Sequence, residues 1–216
     1  MPVIQAVVVD YGGVLTNPLA ESMGAWFAAD GIDGDAFGNA MRALLGPQGE
    51  HEAAVNPVHA LERGEMEIPH FEERLAEHLV STTGQPVLAD GLLTRMFAGF
   101  ERAEDMHGLV QRVKAAGLKT ALLSNSWGLN YPREGWEELF DVTVISGEVG
   151  LRKPEPEIYQ LCATQIGVPP NACVFVDDLA PNVNGAVAVG RVGVLHRTYE
   201  ETVAELEALL GISLTS

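Results

Sequence analysis

The sequence is short of cations, of cysteines and of long apolar runs. There are 13 lysines and arginines against 30 aspartates and glutamates, a formal net charge of −17. A surface of that sign repels phosphodiester backbones and anionic lipid, so neither nucleic acid nor a membrane is expected as a partner. It would also slow an anionic substrate, so a site for one needs local cations or a metal. The two cysteines, Cys162 and Cys173, sit inside apolar segments. They read as core fillers, not as a disulfide or a metal pair. The six histidines are scattered without zinc-ligand spacing. The chain does not open with a charged stretch followed by an apolar one, and no apolar run approaches a membrane span. A soluble, cytoplasmic protein is the expectation.

What is present is a core-building composition, 47% apolar over 216 residues. Val3 to Val9 predicts a buried strand, rich in Val and Ile and stopped by Asp and Gly. From about Asn17 to Phe100 the texture is helical, as in "ESMGAWFAAD", "DAFGNAMRALLG", "IPHFEERLAEHLV" and "LLTRMFAGF", with apolar residues three and four apart. Strand and helix then alternate. "KTALLSNS", "DVTVIS", "ACVFVDD" and "VGVLH" read as strands. "MHGLVQRVKAAG", "PREGWEELF", "EPEIYQLCATQIG", "PNVNGAVAVG" and "YEETVAELEALLG" read as helices. Strands this apolar have no wet face, which predicts an α/β fold with a parallel sheet covered on both sides. The first strand precedes the helical block and the others follow it. The expected organisation is therefore a Rossmann-like core of residues 1–16 and 101–216, with residues 17–100 inserted as a helical cap.

In open α/β sheets, ligands bind beyond the carboxyl ends of the strands. Those ends carry Asp10, then Ser124 and Asn125, then Asp177 and Asp178; Arg152 and Lys153 follow a fourth strand. Singly, each has an ordinary reading. Asp before Gly is turn chemistry, Ser-Asn caps helices, and Lys-Pro before a helix is common. Adjacent aspartates repel unless a cation lies between them. Together, three carboxylates, a hydroxyl and a lysine at one edge point to Mg²⁺ and a phosphate, with a carboxylate able to attack phosphorus.

On "VVVDYGGVLT", "ALLSNS", "GLRKPEPEIY" and "VFVDDLAPNVNGA", in that order, the chain resembles the haloacid dehalogenase (HAD) superfamily, specifically its phosphatases with a helical cap after the first strand. "LERGEM" together with these segments is most similar to the α-glucose-1-phosphate phosphatase type. The resemblance implies a Mg²⁺-dependent hydrolysis of a small phosphate ester, such as a sugar phosphate, through an aspartyl-phosphate. It implies Asp10 as nucleophile and metal ligand, and Gly12 as a ligand through its carbonyl. Ser124 and the backbone at Asn125 would bind the phosphoryl group, and Lys153 would neutralise charge on it and on Asp10. Asp178 would bind Mg²⁺ directly and Asp177 through a metal-bound water, with Asn182 behind them.

Gly12 departs from the superfamily's commoner pattern. Most of these phosphatases have a second aspartate there, which protonates the leaving group and then activates water. Glycine moves no proton, a function worth about 10²–10⁴-fold in rate. The α-glucose-1-phosphate phosphatase-like members also have glycine at this position. Three readings follow: a phosphatase for substrates whose leaving group needs little protonation, a 2-haloacid dehalogenase, and a non-catalytic phosphate-binding regulator. In the cap, Trp26, Phe27, His51, His59 and Glu62 are available to meet a substrate, the aromatics more as packing. Trp127, just after Ser-Asn, is placed to line the entrance.

Overall fold

The computed structural model describes residues 3–45, 56–128 and 131–215. His51 lies outside the described residues. Five strands, β1 (Ala6–Val9), β2 (Lys119–Ser124), β3 (Val142–Ile145), β4 (Cys173–Asp177) and β5 (Val192–Leu195), form one parallel sheet in the order β3-β2-β1-β4-β5. The first strand is shorter than the sequence predicts. Val3 is 79% exposed, and pairing starts only at Ala6, opposite Lys119 and Cys173.

Alternation along the strands builds two apolar layers. Val7, Val9, Leu122, Val174 and Val176 face helices α6 (Glu104–Ala115) and α11 (Tyr199–Leu210). Ala6, Val8, Leu123, Cys173 and Phe175 face α9 (Pro156–Ile166) and α10 (Ala180–Ala188). Cys162 and Cys173 are free and buried in that second layer, as expected of core fillers. Two further short helices follow β2 and β3, α7 (Trp136–Leu139) and α8 (Ser146–Val149). The sequence reading extended the first too far and missed the second, which is four residues long. No helix is long and apolar enough to cross a membrane among the described residues.

The helical block follows β1 and comprises α1 (Leu19–Asp30), α2 (Gly34–Leu45), α3 (Pro57–Glu62), α4 (Ile68–His78) and α5 (Leu92–Phe97). Helix α3 is absent from the sequence reading. Its start is nonetheless encoded, by Pro57 in the first turn and by Asn56, whose Oδ1 accepts from the His59 N–H at 3.1 Å. The block has its own apolar core around Trp26, Phe71, Leu75, Leu92 and Leu93. The chain enters and leaves it side by side. Thr16 bridges Arg102, the Asn17 N–H donates to the Glu101 carbonyl at 2.8 Å, and Asn17 Oδ1 accepts from the Glu101 N–H at 3.0 Å.

Candidate active site

β1 lies between β2 and β4, the point where strand order reverses and where a crevice opens beyond the strand ends. Asp10 leaves β1 there, Ser124 closes β2, and Asp177 closes β4 with Asp178 next to it. Lys153 arrives from the segment after α8. Its ammonium, on a side chain 1% exposed, lies 2.8 Å from Asp10 Oδ1 and 2.7 Å from Asp177 Oδ2. Asn125 fixes the lysine's backbone at both ends. Asn125 Oδ1 accepts from the Lys153 N–H at 2.8 Å, and Asn125 Nδ2 donates to the Lys153 carbonyl at 3.0 Å. The amide side chain is thus turned onto the Lys153 backbone.

Asp177 is fully buried and saturated. Its oxygens accept from Lys153 Nζ, from the Leu179 N–H at 2.8 Å and from Asn182 Nδ2 at 3.1 Å to each oxygen. Asn182 is itself tied through its carbonyl to the Tyr159 hydroxyl at 2.7 Å. Asn182 therefore stands behind Asp177. Ser124 Oγ pairs with the Tyr131 hydroxyl at 3.0 Å. Tyr131, Tyr11 and Trp136 pack edge-on or tilted at centroid distances of 5.0 to 5.8 Å, an aromatic cluster that the sequence reading missed because Tyr11 is far along the chain from the other two.

Asp10, Asp177 and Asp178 each bring one carboxylate oxygen within 4.8 Å of the others. Three carboxylates against one ammonium leave two negative charges uncompensated. Burial, reinforced by Asp177 and Asp178 against the pull of Lys153, pushes Asp10 up to about 8. Burial and Asp177 push Asp178 up to about 6. Burial disfavours the charged lysine, but Asp10 and Asp177 outweigh it and hold Lys153 above the usual range. Asp178 Oδ1 is buried without a hydrogen-bond partner. Its neighbour Gly13 has φ +73°, and a Cβ there would stand 2.4 Å from Asp178 Oδ2, so only glycine admits the carboxylate. A divalent cation would supply both the missing charge and the missing partner, so the residues present fit Mg²⁺.

Above this floor is a cavity of about 510 Å³, closed on its far side by the helical block. Glu62 reaches down from α3 and pairs with Arg152, while its Oε1 accepts from Trp127 Nε1 at 3.3 Å. Trp127 lines the cavity as expected, packed on Phe71 and Phe97. Trp26 is core, donating Nε1 to Asp30, and Phe27 packs on it. His59 does not line the cavity. It is half-buried beside Arg152 and Arg63, and burial plus those two charges lower it to about 4.

A family model described as haloacid dehalogenase-like hydrolase matches residues 4–190. A mouse protein named acyl-CoA dehydrogenase family member 10 is 30% identical over 225 residues, covering 97% of this chain and 19% of its own length. A bifunctional riboflavin kinase/FMN phosphatase from Arabidopsis thaliana is 36% identical over 87 residues, 38% of this chain and 23% of its own. The chain spans about a fifth of the length of these curated relatives. Among solved structures, a HAD-family enzyme from Bacteroides thetaiotaomicron in complex with magnesium and inorganic phosphate has a TM-score of 0.61 at 20% identity, over 90% of this chain and 94% of that one. A dehalogenase has a TM-score of 0.67 at 20% identity, over 99% and 100%. At that identity both structures speak for the fold alone. With the family model spanning β1 to β4, the helical block and every strand-end residue described above, the chain belongs to the haloacid dehalogenase-like hydrolases.

Proposed function

We propose that the chain is a Mg²⁺-dependent phosphatase that hydrolyses small phosphate monoesters through an aspartyl-phosphate on Asp10. The observation that carries this reading is the buried Asp10–Lys153–Asp177 chain beside the unpartnered Asp178 Oδ1. A carboxylate oxygen of Asp10 attacks phosphorus, the bond from phosphorus to the leaving oxygen breaks, and that oxygen departs with the electron pair. Water then attacks phosphorus, phosphate is released and Asp10 is regenerated. Lys153 holds Asp10 in place and balances charge as the phosphoryl group arrives, and Asp177 with Asn182 aims the lysine. Ser124 and the backbone at Asn125 orient the phosphoryl oxygens. Asp10, the Gly12 carbonyl and Asp178 would hold Mg²⁺, which supplies charge neutralisation of the phosphoryl group. Asp177, saturated as it is, acts on the metal only from behind. The named FMN phosphatase among the relatives and the magnesium and phosphate of the Bacteroides neighbour support the same reading. A 2-haloacid dehalogenase expels halide and has no use for a site short of two positive charges. Activity on 2-chloropropionate that survives EDTA would establish that alternative.

EDTA is expected to abolish phosphatase activity and Mg²⁺ to restore it. The Mg²⁺ concentration required should rise as pH falls. Asp10 near 8 and Asp178 near 6 hold protons that the cation must displace, so affinity is lost on the acid side. Titrations from pH 5.5 to 8.5 read this directly, and an affinity independent of pH would contradict it.

Gly12 determines which esters react fastest. With no acid at residue 12, rate should fall as the leaving alcohol becomes more basic, so 4-nitrophenyl phosphate should far outpace ethyl phosphate. Gly12→Asp is expected to restore roughly 10²-fold on the alkyl ester and little on the aryl one. The backbone allows it. Gly12 is not among the positive-φ glycines, and a Cβ there meets only Leu19 and Phe100 at 3.6 and 3.8 Å. A plot of log rate against leaving-group pKa for both forms checks this; a flat wild-type line would mean that the proton comes from elsewhere.

A further inference from the structure

The cavity above Asp10 has two unlike ends. Its floor holds the charged groups already described. Its roof, among the described residues, is built from Leu19 and Met23 on α1, Phe37 and Met41 on α2, and Met96 and Phe97 on α5. On α1 and α2 the lining pairs are four residues apart, so each helix turns a single apolar stripe to the cavity. Among the described residues of the helical block, the one charged residue in the lining is Glu62, and its two oxygens are engaged, one by Arg152 and one by Trp127. A polyhydroxylated leaving group packed against these six side chains would lose its water and find no hydrogen-bond partner among them in exchange. An apolar one would lose only unfavourable hydration. Three of the six residues are methionines, whose unbranched side chains reshape around varied apolar contours. A volume of about 510 Å³ lies within the range that encloses a drug-sized molecule, well beyond what a phosphoryl group needs.

We propose that the ester taken by this site is the phosphate of a hydrophobic alcohol, aromatic or long-chain, and not of a sugar. The proposal rests on the phosphatase reading for its chemistry, but the roof's selectivity can be measured without turnover. A series of 4-alkylbenzylphosphonates from methyl to hexyl, which cannot be hydrolysed, is titrated into the Mg²⁺-loaded protein by calorimetry, with glucose 1-phosphate as the polar comparison. Kd should drop about fourfold for each added methylene until the cavity is filled, and glucose 1-phosphate should bind more weakly than the shortest member. A flat or rising Kd along the series, or tighter binding of glucose 1-phosphate, overturns the proposal. The matching 4-alkylphenyl phosphates, whose leaving groups are nearly equal in acidity, should show the same gradient in kcat/KM. If the phosphonates show the gradient and neither a phosphate ester nor the mixed anhydride acetyl phosphate is hydrolysed, the phosphatase reading fails while the roof's preference stands. Met41→Gln should flatten the chain-length dependence at least tenfold across the series, and Met41→Leu should retain it. Should Met41→Gln fail to fold, Met23→Gln, on the neighbouring helix and also partly exposed, makes the same test. An unchanged gradient in a folded glutamine variant would remove these helices from the binding site and overturn the proposal.

Discussion

Asp10→Asn should eliminate turnover, on the order of 10⁶-fold, the scale set by removal of a nucleophile that works as part of a unit. The amide has nearly the same shape but cannot form the acyl phosphate. The fold should survive, and the melting temperature should be equal to or above that of the wild type. Asp10 is buried, and burial raises it towards neutrality even with Lys153 at 2.8 Å. Its charge is held in place at a cost, and an uncharged amide removes that cost, the usual relation between a functional site and stability. Beryllofluoride with Mg²⁺, a mimic of the phosphorylated carboxylate, should protect the wild type from thermal unfolding and leave Asp10→Asn unaffected. Undiminished turnover in the variant would sink the assignment of the nucleophile.

Lys153→Met is expected to be the most destabilising single change at the site, about 3–5 kcal/mol by denaturant unfolding. Breaking a buried pair from one side leaves the other charge without compensation, and here two carboxylates are left, Asp10 and the fully buried Asp177. The chemistry predicts a signature that simple loss of packing would not produce. Adding Asp10→Asn to Lys153→Met should recover part of the stability, because one of the stranded charges is gone. Saturating Mg²⁺ should stabilise Lys153→Met by more than it stabilises the wild type, since the cation supplies charge that the lysine no longer provides. Equal unfolding midpoints for the wild type and Lys153→Met would show that the lysine does not hold the two carboxylates together.

The parts of this architecture that were legible in the sequence are those with a local signal. Short apolar runs ending in Asp or Ser-Asn marked β1, β2 and β4, and the carboxyl-end rule placed their terminal residues on one edge. Lys153 was found because it belongs to the same edge. Its dependence on Asn125 was not visible, since that clamp joins residues 28 apart through side-chain geometry. Asp177 and Asp178 are identical letters in adjacent positions. Only the fold shows that the first is used up on Lys153, Asn182 and Leu179 while the second keeps an oxygen free. Periodicity identified α1 and α2 as amphipathic, but a 3.6-residue period does not say whether an apolar residue is shut inside the helical block's own core, as Trp26 is, or also lines a cavity, as Met23 does. The Tyr131–Ser124 contact had no signal in the sequence at all.

The stitched entry and exit of the helical block also bear on how the sheet assembles. β1 must find β2, its hydrogen-bonded neighbour, across the whole of that block. Chain entropy opposes contacts so distant along the chain, and such topologies fold slowly. A block with its own core can condense first and draw Thr16 and Arg102 together. The open loop then shrinks from roughly 100 residues to roughly 20, which lowers the closure cost by about 1.4 kcal/mol, a factor of ten in the chance that the two strands meet. The insertion that interrupts the sheet thereby shortens the search for its central pairing, and the strand that carries Asp10 is brought to its partner by the element that covers it.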